Sequence, residues 1–349
     1  MGRTVPCARR VPQSRIAGQR QIHMLYAPMT RAAFQTALKD PLESTNFPEL
    51  GAYYRGKVRD NYSGKDGVRT IVVTDRISAF DCNVGTLPLK GQMLNYIAAW
   101  WFERTKHIAD NHVISVPDPN VMRVHECTPL PVEMIVRGYL TGTTSTSIWV
   151  HYEAGARTFC GHPLPDGMKR HQKLPQNLLT PSTKAAHGDH DVSASREEIL
   201  EITGMNPSDF DTAAKMAMEL FAFGQRVCAE RGLILVDTKY EFGKTRDGRI
   251  VVIDEIHTPD SSRYWLAKSY EERFRSGQNP ESFDKDNVRR YLAEQGFKGD
   301  GPVPTIPDDV RITASERYLD AIQTITGEQF EPSLEPALPR LRANLGVGR

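Results

Sequence analysis

The stretch from Gly232 to Trp265, GLILVDTKYEFGKTRDGRIVVIDEIHTPDSSRYW, constrains the fold more than any other part of the chain. Two apolar, β-branched runs, Leu233 to Phe242 and Ile250 to Ile256, flank Arg246-Asp247-Gly248-Arg249. Asp-Gly between such runs is the strongest short signal for a β-hairpin. Strand side chains alternate, so Asp237, Lys239 and Glu241 share one face. A two-residue turn at Asp247-Gly248 pairs Arg246 with Arg249 and, counted back, sets Glu241 opposite Asp254. Like charges directly opposite destabilise a sheet. Two facing carboxylates beside a lysine therefore read as a metal–nucleotide site, since Mg²⁺ takes one or two carboxylates together with substrate phosphates. The competing reading is a polar sheet face solvated by water. A longer turn would shift the register and break the pairing.

Composition narrows the setting. The 349 residues are 39% hydrophobic and 25% charged, ordinary for globular protein and long enough for roughly two lobes. A net charge of +1 gives no general attraction to nucleic acid or membrane. Five cysteines without a CxxC pair argue against a disulfide framework and for a reducing, cytoplasmic setting. No apolar run reaches the ~20 residues that span a bilayer. Residues 1–39 stand apart: Arg3, Arg9, Arg10, Arg15, Arg20, Arg31 and Lys39 precede the first acid, Asp40. That composition fits an organellar transit peptide. Pro6 and Pro12 interrupt any amphipathic helix, which favours a disordered extension or a true start at Met24.

Along the chain, Tyr53 to Asp60 reads as a strand, Asn61 to Gly67 as a polar turn and Thr70 to Thr74 as a second strand, a hairpin lying over a ligand. Gly56 allows close backbone approach. Lys57 and Arg59 alternate onto one strand face, where they meet phosphates or water. There is no Walker A loop. Gly91 to His107 has helical apolar spacing and reads as core. Val113 to Pro131, with four prolines, reads as a connector. Val132 to Leu140 is a strand placing Glu133 and Arg137 on one face, with Glu133 the anionic partner a buried Arg needs. The hydroxyl run Thr141 to Ser147 suits an anion. Gly161 to Thr183 reads as loop, and His187 to Asp191 as a polar substrate loop; a zinc site there lacks further ligands at the right spacing. Ser195 with Glu198 and Thr313 with Glu316 read as capping boxes, Asp211 as a helix start, and the Pro-rich stretch from Glu328 as frayed.

Seven motifs together resemble the SAICAR synthetase family: RGKVRD (55–60), VTDRISAFD (73–81), IVRGYLTG (135–142), LTPSTKA (179–185), GDHD (188–191), VDTKYEFG (236–243) and IDEIHTPDSSRYW (253–265). They stand in family order over roughly residues 50 to 325. The resemblance implies an α+β protein of two lobes with a kinase-like, ATP-grasp-like nucleotide site. A β-rich N-terminal lobe (40–131) would cover ATP, a larger α/β lobe (132–327) would carry metal and substrate, and 328–349 would be a tail. It implies an ATP-dependent carbon–nitrogen ligase that joins L-aspartate to the carboxylate of carboxyaminoimidazole ribonucleotide through an acyl phosphate, giving SAICAR, ADP and phosphate in purine biosynthesis. Nucleic acid and membrane are not implied partners, and the assembly would be a monomer or small homo-oligomer.

The resemblance also assigns residues. Glu241 and Asp254 look like the Mg²⁺–ATP carboxylates; Gly56, Lys57 and Arg59 match the phosphate-covering segment. Lys239 would sit near the transferring phosphate, with Asp237 in the same motif. Arg137, Thr143, Ser262 and Arg263 match ribonucleotide-holding positions, with Asp260 in the same motif. Lys184, Ser182 and Thr183 would face the aspartate or the ribonucleotide carboxylate. The adenine would lie near Arg123 to Pro129. Three departures stand out: Val192-Ser193-Ala194-Ser195 replaces the usual Glu-Asn-Ile-Ser, Thr143 replaces a Ser, and Leu89-Lys90-Gly91 replaces Gly-Lys-Gly. A phosphotransferase or a non-catalytic nucleotide-binding protein are the alternative readings; the retained Glu241 and Asp254 oppose the second.

Overall fold

The computed structural model describes residues 29–80, 82–184, 191–282 and 286–348. The chain enters through helix α1 (Arg31–Ala37) and strands β1 (Ala52–Arg55), β2 (Arg59–Ser63) and β3 (Val68–Val73). It turns through a small hairpin, β4 (Arg76–Ala79) and β5 (Cys82–Thr86), and a buried helix, α2 (Lys90–Thr105). It then returns as β6 (Val113–Asp118) and β7 (Val121–His125). These strands form an antiparallel five-stranded sheet in the order β1-β2-β3-β7-β6, with β4 and β5 apart. Tyr53 to Asp60 is therefore not one strand. The Gly56 N–H donates to the Arg59 carbonyl at 2.8 Å, the chain reverses, and Arg55 pairs with Asp60. Lys57 lies in that loop rather than on a strand face with Arg59. Nor is Val113 to Pro131 a connector. Pro117 falls in β6, an edge strand, where a missing N–H is tolerated, and only Glu126-Cys127 separates the two sheets.

The second sheet is built from β8 (Thr128–Tyr139), β11 (Lys173–Leu179), β12 (Ser182–Thr183), β13 (Leu233–Lys244), β14 (Ile250–Ile253) and β15 (Ser262–Leu266), after the two-residue strands β9 (Thr158–Phe159) and β10 (His162–Pro163). Its path is β11-β8-β13-β14, with β12 also on β8 and β15 also on β13. Gly161 to Thr183 thus contains strands, not loop alone. Helices α3 (Ile148–Glu153), α4 (Arg196–Thr203), α5 (Pro207–Glu230), α6 (Ala267–Arg275), α7 (Asp286–Glu294), α8 (Asp308–Thr326) and α9 (Ala337–Leu345) complete the α+β fold. The Ser195–Glu198 capping box is present. Helix α5 starts ahead of Asp211, because Asn206 caps it and Pro207 fits its first turn. Helix α8 starts at Asp308, five residues ahead of Thr313.

Both ends of the described chain are packed. Phe34 in α1 is buried and Arg31 pairs with Glu316 at 2.7 Å, so residues 31–39 of the expected disordered extension are structured; residues 1–28 of it lie outside the described residues. The Pro-rich tail is not frayed: Leu341 joins Phe47, Tyr62 and Val72 in a core, and buried Arg340 lies 2.9 Å from Asp118. No helix among the described residues is long and apolar enough to cross a membrane.

Helix α5 lies directly against β13 through Ala213, Ala217, Leu220, Phe221 and Gly224, all buried. A Cβ on Gly224 would stand 2.5 Å from Cε1 of His257 and 2.8 Å from Cδ2 of Leu235. His257 cannot yield easily. It is fully buried, bonded to the Tyr240 hydroxyl and edge-on to Trp101 at 4.6 Å, and burial lowers its pKa to about 3. Gly224→Ala is expected to destabilise the fold by about 1–3 kcal/mol through overpacking, read as a lower Tm. An unchanged Tm would show that α5 can slide.

Candidate active site

Strand β13 organises the site because three alternate residues point the same way. Successive same-face positions on a strand are about 7 Å apart, so Asp237, Lys239 and Glu241 form a row about 13 Å long. Neighbouring strands supply each with partners. Across β8, Arg137 stands opposite Asp237 and Glu133 opposite Glu241. Across β15, Arg263 stands opposite Asp237 and Ser262 opposite Thr238. Across β12, Ser182 stands opposite Glu133.

At one end of the row, Lys239 Nζ lies 2.7 Å from Glu133 Oε1 and 2.7 Å from Glu241 Oε1, and Lys184 pairs with Glu241 Oε2. Burial opposes ionisation of Glu241, but Lys239 and Lys184 outweigh it and hold its pKa down at about 2. For Glu133, burial wins over Lys239 and the pKa rises. The lysine is pushed up: burial disfavours its charge, and the two carboxylates more than compensate. Sequence reasoning missed Glu133 here by pairing it with Arg137. Four residues along a strand span about 13 Å, too far for that pair, and this arithmetic was available from the sequence.

At the other end, Arg263 Nη1 donates to Asp237 Oδ2 at 2.7 Å and Arg137 Nη1 lies 3.9 Å from the same oxygen. Arg137 is buried and is held by Thr180 Oγ1 at 2.8 Å and the Thr146 carbonyl at 3.0 Å. Two guanidinium groups share one carboxylate, which leaves cationic capacity for a bound anion. Thr143 is exposed on the same loop as Thr146. The Ser262 hydroxyl is buried and lies 2.6 Å from Thr238 Oγ1.

The hairpin turn is longer than two residues: Thr245 N–H donates to the Arg249 carbonyl, and Lys244 pairs with Ile250. Glu241 therefore stands opposite Ile253, not Asp254. A one-residue shift would send Asp254 to the other face. Instead β14 ends at Ile253 and Asp254 takes a left-handed φ of 68°, which Asp tolerates better than most residues. Both carboxylates then line one cavity of about 100 Å³, together with Asn61, Ile71, Val124 and Ile253. Arg59 reaches across from the first sheet to Asp254 and, at 2.7 Å, to Glu255. Glu255 and Thr258, bonded to each other at 2.9 Å, were not foreseen.

Other expected residues are placed differently. Asp260 is nearly buried, 2.8 Å from Lys90 Nζ and bonded to the Tyr318 hydroxyl. It ties the loop before β15 to α2 and α8, and Lys90 is the retained lysine of the Leu89-Lys90-Gly91 segment. The buried Ser182 hydroxyl has no hydrogen-bond partner among the described residues. Thr183 bonds through backbone and hydroxyl to Val192. Residues 185–190, most of the polar substrate loop, lie outside the described residues. In the segment expected to read adenine, Val124, His125, Cys127 and Pro129 line the cavity with Glu241, whereas Arg123 faces a separate hollow with Lys65 and Thr70.

The fold is shared with known proteins. The sequence profile of SAICAR synthetase matches residues 52–304. The chain belongs to the SAICAR synthetase family. A relative in Arabidopsis thaliana, a chloroplastic phosphoribosylaminoimidazole-succinocarboxamide synthase, is 47% identical over 88% of this chain and 76% of its own length. One in Legionella pneumophila strain Lens, named as the same synthase, is 46% identical over 83% and 92%. Among solved structures, SAICAR synthase from Saccharomyces cerevisiae complexed with SAICAR is 30% identical with a TM-score of 0.71, covering 83% of this chain and all of that one. A SAICAR synthetase in complex with ADP is 25% identical with a TM-score of 0.60, covering 80% and 100%. As a family member the protein is an ATP-dependent carbon–nitrogen ligase of purine biosynthesis.

Proposed function

We propose that the row on β13 orders the reactants along the cleft. ATP enters at the Glu241 end and the ribonucleotide phosphate sits at the Arg137–Arg263 end. The carboxylate that reacts lies between them, beside Lys239. The observation that carries this reading is that Glu241 and Asp254 share one cavity while the arginine pair stands about 13 Å along the same strand face.

Glu241 and Asp254 fit Mg²⁺. They are hard oxygen donors, Glu241 is ionised down to about pH 2, and two carboxylates completed by phosphates and water are the usual set for this ion. When bound, Mg²⁺ would neutralise charge on the phosphates. Arg59, Lys184 and Lys239, which now pair with these carboxylates, are the cations that the phosphates would recruit, together with Lys57 on its loop over Gly56.

The chemistry takes two steps. A ribonucleotide carboxylate oxygen bonds to the γ-phosphorus as the bond to ADP breaks. The aspartate amine then bonds to the acyl carbon as phosphate leaves and nitrogen gives up a proton. Catalysis is mostly positioning and charge stabilisation. Lys239 faces the transferring phosphoryl group, Asp237 fixes the angle of Arg263, and Lys184, Ser182 and Thr183 line the side from which aspartate approaches. Thr143 and Ser262 complete the ribonucleotide site, and Asp260 supports its loop through Lys90. We place the protein in the cytoplasm, in keeping with four described cysteines that are all free.

Ribonucleotide labelled with oxygen-18 in its carboxylate is expected to pass label to the released phosphate; unlabelled phosphate would rule out the acyl phosphate. Arg263→Ala is expected to raise KM for the ribonucleotide by about tenfold or more, the worth of a charge-assisted contact, with a smaller change for ATP. Equal shifts for both substrates would count against the phosphate assignment.

A further inference from the structure

We propose that Arg76 is a positioning residue that holds the Gly56-Lys57-Val58 loop in its nucleotide-receiving shape before any nucleotide binds. The inference rests on the reading that Lys57 and Arg59 meet the ATP phosphates.

Arg76 does not face the cleft. It is among the largest fully buried side chains, and its guanidinium is spent on the back of the loop. Nε donates to the Lys57 carbonyl at 3.1 Å. Nη2 donates to the Gly56 carbonyl at 3.0 Å and to Asp60 Oδ1 at 2.9 Å, and Nη1 donates to the Glu43 carbonyl. The Val58 carbonyl is taken by the Thr74 N–H at 3.1 Å and the Thr74 hydroxyl at 2.8 Å. Three consecutive carbonyls are thus turned inward. Their negative ends are withdrawn from the side on which a polyphosphate would lie. Lys57 is left exposed, and Arg59 is aimed at Asp254 and Glu255.

The clamp is itself anchored. Asp60 is fully buried, and its second oxygen accepts from the Thr45 N–H at 2.6 Å and the Thr45 hydroxyl at 3.0 Å. Arg76 therefore connects the loop to the segment before β1 through a satisfied buried pair, the arrangement in which such a pair holds one geometry. A lysine could keep the charge near Asp60 but has no planar fork to hold both loop carbonyls.

Four measurements on the full chain separate the possibilities. Arg76→Lys is expected to raise KM for ATP by about tenfold, the scale of a lost charge-assisted hydrogen bond, with KM for the ribonucleotide and kcat at saturating ATP within about twofold. A folded Arg76→Lys protein with a lower Tm and an unchanged ATP KM would reduce Arg76 to a structural role and overturn the inference. Lys57→Ala and Arg59→Ala test the underlying reading. If neither raises the ATP KM, the loop does not meet the phosphates and the inference falls with that reading. If they do and Arg76→Lys does not, only the inference fails. Should Arg76→Lys not fold, hydrogen exchange on the unaltered protein decides: the Gly56 amide is expected to be protected without nucleotide, and exchange at open-chain rates there would overturn the proposal.

Discussion

Asp254→Asn is expected to lower kcat by about 10³-fold, the scale of losing a preorganised charge that stabilises the transition state, with the fold intact. The substitution isolates charge from shape. Asp254 holds a φ of 68°, and Asn is among the few residues that accept left-handed backbone as readily as Asp. Arg59 keeps its 2.7 Å pairing with Glu255, so no buried cation is stranded. A Tm within a few degrees of the unaltered protein, with turnover lost, would place Asp254 at the nucleotide. Near-normal turnover would remove it from the metal site.

Lys239→Met should cost about 10²–10³-fold in kcat if, as proposed, it deletes a cation aimed at the transferring phosphoryl group. It should also move the acid limb of the pH profile. Against the opposing effect of burial, Lys239 is the larger of the two cations that hold Glu241 at about 2. With Lys184 alone, and with Glu133 still opposite across the strands, the Glu241 pKa rises. A carboxylate with a raised pKa is less ionised at a given acidic pH, so kcat/KM is expected to fall away at higher pH in the variant. An unmoved acid limb with kcat within about threefold would contradict the placement of Lys239 between the two carboxylates.

The row Asp237, Lys239, Glu241 was legible because strand alternation needs only a strand, and the β-branched content of Leu233 to Phe242 supplies one. The bringing together of Glu241 and Asp254 was legible for an incorrect reason. The pairing presumed a two-residue turn, whereas Thr245 closes a longer one and left-handed backbone at Asp254 restores the meeting. Such backbone has no signature in residue type beyond a mild preference for Asp. The reversal at Gly56 was hidden because the carbonyls that stabilise it are satisfied by Arg76, about twenty residues away in sequence. The C-terminal tail was misread for a related reason. Proline content suggested fraying, but Arg340 finds its partner, Asp118, at the end of β6. Local propensity carries no information about such distant partners.

The most direct test of the account is ADP release by the purified protein given Mg²⁺–ATP and carboxyaminoimidazole ribonucleotide, with and without L-aspartate. The account requires ADP to accumulate with aspartate, in step with the succinylated ribonucleotide. Equal steady release without aspartate would contradict it: the site would then be transferring phosphate without coupling it to the carbon–nitrogen bond.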